Sequence, residues 1–139
     1  MPASPTILVV DDSPFAARAL VHVLETRGLR AHGASSMEEA TRICTEYRPS
    51  LLVSDVCMPA LDLLELCRQV RAAGRGKPTA VLLVSAHSKE EVRDVIAATG
   101  AEAFIEKRHG AVSVAAKVEA LCRTLAEAPS RHPLPSSAG

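Results

Sequence analysis

The chain has 139 residues, enough for one compact domain that buries a core without disulfides or structural metal, and too few for a second folded unit. Sixteen basic residues balance sixteen acidic ones, which excludes a net field for nucleic acid or an anionic membrane and leaves recognition to specific contacts. Apolar residues make up 47% and aromatic ones only 2%, so Leu, Val, Ile and Ala must do the packing.

The segment 1–5 reads as a flexible N-terminus. Met1 to Thr6 lacks the basic start and long apolar stretch of a signal peptide, and no apolar run approaches the ~20 residues of a membrane span, so a cytoplasmic location is expected. Ile7 to Val10 is apolar on both faces, as in a strand covered on both sides. Ser13 before Pro14 gives an N-cap and a proline at the first helical position, and Ala17, Leu20, Val21 and Leu24 keep helical spacing until Gly28. Arg30 to Ala34 mixes polar with apolar residues and reads as an edge strand. Ser36 and Glu39 form a capping box for a helix carrying Met37, Ala40, Cys44 and Tyr47.

Leu51 to Val53 is a second doubly apolar strand. Asp62 and Glu65 resemble a capping box for a helix on Leu63, Leu66, Cys67 and Val70 that stops at Gly74. Ala80 to Val84 is the third strand of this kind. Ser88 and Glu91 make another box, for a helix with Val92, Val95 and Ile96 ending at Gly100. Glu102 to Ile105 is the second mixed strand, and Val114, Val118, Leu121, Cys122 and Leu125 place the last helix. From Ala128 the composition turns to Pro, Ser and Ala, which cannot bury enough apolar surface to offset its ordering entropy. The expected organisation is a folded domain over 6–126 and a disordered tail or linker over 127–139.

Strand then helix, five times over, predicts an α/β fold with right-handed crossovers and a parallel doubly wound sheet. Three apolar strands inside and two mixed ones at the edges suit the order 2-1-3-4-5, the flavodoxin-like three-layer (βα)5 arrangement. The four cysteines, Cys44, Cys57, Cys67 and Cys122, show no CxxC pair and no metal spacing, so reduced, buried thiols are expected.

In such a sheet all strands point one way, and residues just past their ends gather at the edge where ligands bind. Asp11 and Asp12 follow the first strand, Asp55 the third, Ser85 the fourth and Lys107 the fifth. Each alone has an ordinary explanation as a turn residue or a solvated charge. Together they converge on one crevice. Three close carboxylates repel one another unless a cation neutralises them, and an all-oxygen set suits Mg²⁺, which keeps open positions for phosphoryl oxygens. A lysine and a hydroxyl facing the same cavity supply charge and hydrogen bonds to a transferring phosphoryl group, with Asp55 as the nucleophile they surround.

The runs VVDDS, SDVCMP, LLVSAHS and FIEK, spread over Thr6 to Ala126, resemble the receiver domain of two-component response regulators. The resemblance implies that Asp12 binds Mg²⁺ directly and Asp11 mainly through water. Asp55 would be both metal ligand and phosphoacceptor, and the Cys57 backbone carbonyl would complete the protein ligands. Ser85 would hydrogen-bond the phosphoryl group, Lys107 would pair with it, and Phe104 would be the aromatic that repacks when the hydroxyl residue moves. It also implies a sensor histidine kinase or phosphotransfer protein as donor, and a downstream protein or output domain as receiver of the signal. The face of the fourth helix, fifth strand and fifth helix would switch and could support a homodimer. No enzymatic activity beyond the protein's own phosphorylation and dephosphorylation is expected.

Two positions depart from the family pattern. Leu63 stands where glycine is customary, which fits a helix begun one residue earlier. Arg108 replaces the proline that normally follows the lysine, so a trans bond and a shifted loop are expected there. Cys57 and His87 each lie two residues past a site residue, where their side chains would border the path of attacking water. Two rival readings stand beside the switch. One is a phosphorylation-independent pseudo-receiver acting through protein contacts; the other is a Mg²⁺-dependent phosphohydrolase or nucleotide-binding protein, for which no GxGxxG or GxxxxGK[ST] motif is present.

Overall fold

The computed structural model describes residues 5–128. Both proposed termini, apart from Pro5, Glu127 and Ala128, lie outside the described residues. Five strands, β1 (Thr6–Val10), β2 (Arg30–Ala34), β3 (Leu51–Asp55), β4 (Ala80–Ser85) and β5 (Ala103–Glu106), form one parallel sheet in the order β2-β1-β3-β4-β5. Five helices alternate with them: α1 (Pro14–Thr26), α2 (Met37–Tyr47), α3 (Leu63–Ala73), α4 (Arg93–Thr99) and α5 (Gly110–Glu127). The expected flavodoxin-like order is the one observed, with β2 and β5 at the edges. Helix α5 runs to Glu127, one residue past the expected domain end.

The doubly apolar strands explain the layering. Successive side chains alternate across a strand, so Ile7, Val9, Leu51, Val53, Leu82 and Val84 face one way, toward Ala17 and Leu24 of α1 and Val114, Val118 and Cys122 of α5. Leu8, Val10, Leu52, Val81 and Leu83 face the other, toward Ile43 of α2, and Leu66 and Val70 of α3. Both cores are aliphatic. Gly33 lets α1 lie close on β2, since a Cβ there would meet Val21 Cγ2 at 3.3 Å.

The helix starts follow their caps. The Ala16 and Glu39 amides donate to Ser13 Oγ and Ser36 Oγ at 3.2 Å, and the Glu65 amide to Asp62 Oδ1 at 3.0 Å. Leu63 is thus the first residue of α3, as expected. Glu65 does not reach back to complete a box; its carboxylate is taken by Arg68 and Gln69 on its own helix.

Two expectations need correction. The Ser88–Glu91 box forms with reciprocal bonds of 2.8 and 3.2 Å, yet it closes only a turn, and α4 begins at Arg93. The residues between, Lys89 to Glu91, are exposed and polar, with no apolar face to hold a helix against the sheet. The second correction concerns Cys57, which is exposed, whereas Cys44, Cys67 and Cys122 are buried and free. Burial pushes the Cys122 thiol up to about 11, with the charge of Glu119 adding to it.

Candidate functional site

Strand ends build the site. Asp11 directly follows β1, and its backbone amide donates to Ala34 O at 3.1 Å, continuing the β1–β2 pairing past the strand. Its Oδ1 accepts the Ser13 amide at 2.9 Å, tying the carboxylate to the turn that starts α1. Asp12 is the exposed next residue and has no cationic partner among the described residues. Asp55 is the last residue of β3 and is buried; Oδ1 accepts the Cys57 amide at 3.0 Å. One carboxylate oxygen from each of Asp11, Asp12 and Asp55 can be chosen so that all three lie within 4.8 Å of one another.

Lys107 arrives from the far edge of the sheet. Its Nζ donates to Asp55 Oδ2 at 2.7 Å and lies 3.4 Å from Asp11 Oδ2. Burial works against the ammonium, but the hydrogen bond and charge of Asp55, joined by Asp11, outweigh it and hold the lysine pKa above its ordinary value. No peptide bond among the described residues is cis, so Lys107–Arg108 is trans as expected. The chain leaves β5 through a short 3-10 turn, Lys107–His109, before Gly110 opens α5.

Three carboxylates and one ammonium leave two negative charges at the crevice. An all-oxygen donor set with that residual charge fits a hard divalent cation such as Mg²⁺. Asp11, Asp55 and Lys107 also form the polar rim of a cavity of about 290 Å³ whose wall includes Val9, Val53 and Val84.

Ser85 ends β4, one position past Val84, the register partner of Asp55. It is fully buried and its Oγ accepts the His87 amide at 2.9 Å, which fixes the loop leaving the strand. Phe104 sits in β5 opposite Leu83 and packs half-buried on the α4 side, with Val95 and Ile96 in the same cluster. It is not part of the acidic crevice. The structure therefore brings Asp11, Asp12, Asp55 and Lys107 together, sets Ser85 and the Cys57 backbone beside them, and places Phe104 on a neighbouring face.

One feature escaped the sequence reading. Arg71 of α3 donates to the Thr99 and Gly100 carbonyls at 2.7 and 3.1 Å, capping the end of α4 from another helix. Only a contact map could have joined positions so far apart.

Five parallel strands in this order, with an acidic cluster and a lysine at their carboxyl ends, define a doubly wound α/β domain built around a cation-ready crevice. Residues 7–119 match the response regulator receiver domain, and the chain belongs to that family. It is 35% identical over 101 residues to a 14.6 kDa uncharacterized protein of Leptolyngbya boryana, covering 73% of this chain and 77% of that one. It is also 35% identical over 117 residues to the response regulator MprA of Mycobacterium leprae, covering 84% of this chain. This chain spans 50% of the length of that MprA. Among solved structures, a receiver domain from Bermanella marisrubri superposes with a TM-score of 0.71 at 26% identity, covering 86% of this chain and 98% of that one. The chemotaxis protein CheY4 of Vibrio cholerae, at 24% identity, shares the fold with a TM-score of 0.73 over 85% of this chain and 98% of its own.

Proposed function

We propose that this receiver domain is a phosphorylation-controlled switch in which Asp55 accepts a phosphoryl group from a histidine kinase or phosphotransfer protein. The observation that carries the reading is the Asp11–Asp12–Asp55 cluster with the Lys107 ammonium on Asp55 Oδ2. Asp11, Asp12, Asp55 and the Cys57 carbonyl would hold Mg²⁺, which supplies charge neutralisation between the carboxylates and the incoming phosphoryl oxygens. An Asp55 oxygen attacks phosphorus, the bond from phosphorus to the donor histidine nitrogen breaks, and the imidazole leaves. The Lys107 ammonium, already beside Asp55 Oδ2, would be at hand for the negative phosphoryl oxygens that arrive there as the carboxylate gives up its own charge. Ser85, at the adjacent strand end, is the hydroxyl available to the phosphoryl group.

The signal would leave through α4, β5 and α5. Phosphorylation adds roughly −1.5 to −2 charges at one carboxylate. Recruitment of Ser85 and Lys107 toward them would shift the loop after β4, with Phe104 repacking against α4. Complete reversal of a 1:99 equilibrium needs about 5.5 kcal/mol of differential stabilisation, and partial pre-population of the active form lowers that requirement. The domain would turn over no external substrate.

The test is phosphorylation with acetyl phosphate and Mg²⁺, read by intact mass. Wild type is expected to gain one phosphoryl group and Asp55→Ala none. A wild-type protein that stays unlabelled, and does not bind beryllofluoride either, would replace this reading with that of a module working through protein contacts alone.

A further inference from the structure

We infer that Arg108 is a positioning residue for Lys107: its guanidinium, held by Glu106, fixes the turn from which the ammonium reaches Asp55. The inference rests on the proposed phosphoryl-transfer role of the site and adds a residue to it.

The turn that delivers Lys107 has little else to hold it. None of Lys107, Arg108 and His109 is buried, and no side chain caps the start of the turn. At its far end the Gly110 amide donates to the Lys107 carbonyl. Lys107 and Arg108 are adjacent cations, which repel each other, and all three residues are exposed. Lys107 nevertheless holds Nζ at 2.7 Å from a carboxylate 52 positions away.

Arg108 Nε donates to Glu106 Oε1 at 2.6 Å, a charge-assisted bond that straddles Lys107. Glu106 is a firm mooring because it is the last rung of β5, in register with Ser85 of β4. Its side chain is on the α4 side, lining a groove with Ser88, Arg93 and Ile96, and is only 23% exposed. Lys107 points instead into the crevice. The pair thus clamps the turn from the face opposite the site, on the rung that carries the hydroxyl. A proline at this position would restrict the turn covalently; here an ion pair takes that place. Arg108 itself is largely solvent-exposed, so the effect is modest and sensitive to salt.

The experiment is a double-mutant cycle on the rate of Asp55 labelling by acetyl phosphate with Mg²⁺. Arg108→Ala is expected to slow labelling by about two- to fivefold, the range an exposed ion pair can supply. Arg108→Lys should recover part of the rate, and high salt should shrink the effect. In a Lys107→Ala background the Arg108→Ala change should have no effect, because the group it positions is gone. An equal loss in both backgrounds, or none with Lys107 present, overturns the inference. A second measurement is independent of labelling: the hydrogen-bonded Lys107 ammonium followed by ¹⁵N NMR in metal-free protein. Its signal should be retained in Arg108→Lys and broadened in Arg108→Ala, and an unchanged signal in both overturns the inference. Because this readout needs no phosphorylation, it separates failure of the positioning role from failure of the switch itself.

Discussion

Lys107 Nζ lies 2.7 Å from Asp55 Oδ2, joining the end of an edge strand to the end of the central one. The bond raises the lysine pKa above its ordinary 10.5. A group whose pKa is higher folded than unfolded contributes stability that is complete below the unfolded value and is lost as pH rises through the folded one. Metal-free wild type should therefore lose Tm more steeply than Lys107→Met as pH climbs from the ordinary lysine value of 10.5 upward through the raised one. Parallel melting curves for the two proteins would show that the ammonium contributes nothing of this kind. The ammonium is 40% exposed, which keeps the difference small.

The acidic cluster makes an opposite pair of demands. Without a cation, Asp11, Asp12 and Asp55 repel one another, and a single lysine does not balance them. Asp12→Asn should therefore raise the Tm of the metal-free protein while weakening its response to Mg²⁺. For wild type, Mg²⁺ at a hundred times its Kd should add about 2.7 kcal/mol. Differential scanning fluorimetry with and without Mg²⁺ checks both signs; a variant as responsive as wild type would remove Asp12 from the ligand set.

How far the sequence reached depended on whether a signal was local. The strands were legible because Leu8 and Val9 or Leu52 and Val53 are apolar on both faces, a pattern that only a sheet covered on both sides requires. Strand polarity then brought Asp11, Asp55 and Lys107 to one rim without any alignment. Capping boxes were less reliable. Ser36 starts a helix although Glu39 reaches back to Ser35 instead of Ser36, whereas Ser88 and Glu91 complete the reciprocal pair and start only a turn, because what continues a helix is an apolar face beyond the cap. The end of α2 has no glycine to mark it: Arg48 itself adopts the left-handed conformation at φ 47°, and the stop signal is Pro49 directly after it. The Arg71 cap on α4 and the Glu102 carboxylate that accepts the Val81 amide were beyond reach for another reason: each joins residues more than twenty positions apart.

The lifetime of the acyl phosphate should depend on Cys57 and His87. Their amides hold the site oxygens, to Asp55 Oδ1 and Ser85 Oγ, at 3.0 and 2.9 Å, while both side chains stand exposed at the rim. A side chain there would control access of water to phosphorus without touching the bonds that shape the site. Autodephosphorylation of Cys57→Ala and His87→Ala, started from labelled protein, should differ from wild type by a few-fold in at least one. Identical decay in all three would leave both as plain loop residues.

Helix α4 is held unequally at its two ends, and that asymmetry predicts how it moves. At its start Val92 is buried but provides no side-chain cap, and the turn before it, exposed over Lys89 to Glu91, leads straight back to Ser85 and His87. At its finish Gly100 takes the left-handed conformation at φ 67°, Thr99 is buried, and Arg71 binds both carbonyls from α3. A pull on Ser85 should therefore swing the start of the helix about a fixed end. With Mg²⁺ and beryllofluoride, hydrogen exchange should change most over 86–96 and least at Thr99 and Gly100. Arg71→Ala should spread the change to the end of the helix while leaving Asp55 labelling near the wild-type rate, since Arg71 touches no site residue. Equal changes at both ends of wild-type α4 would rule out the pivot and imply that the helix shifts as a body.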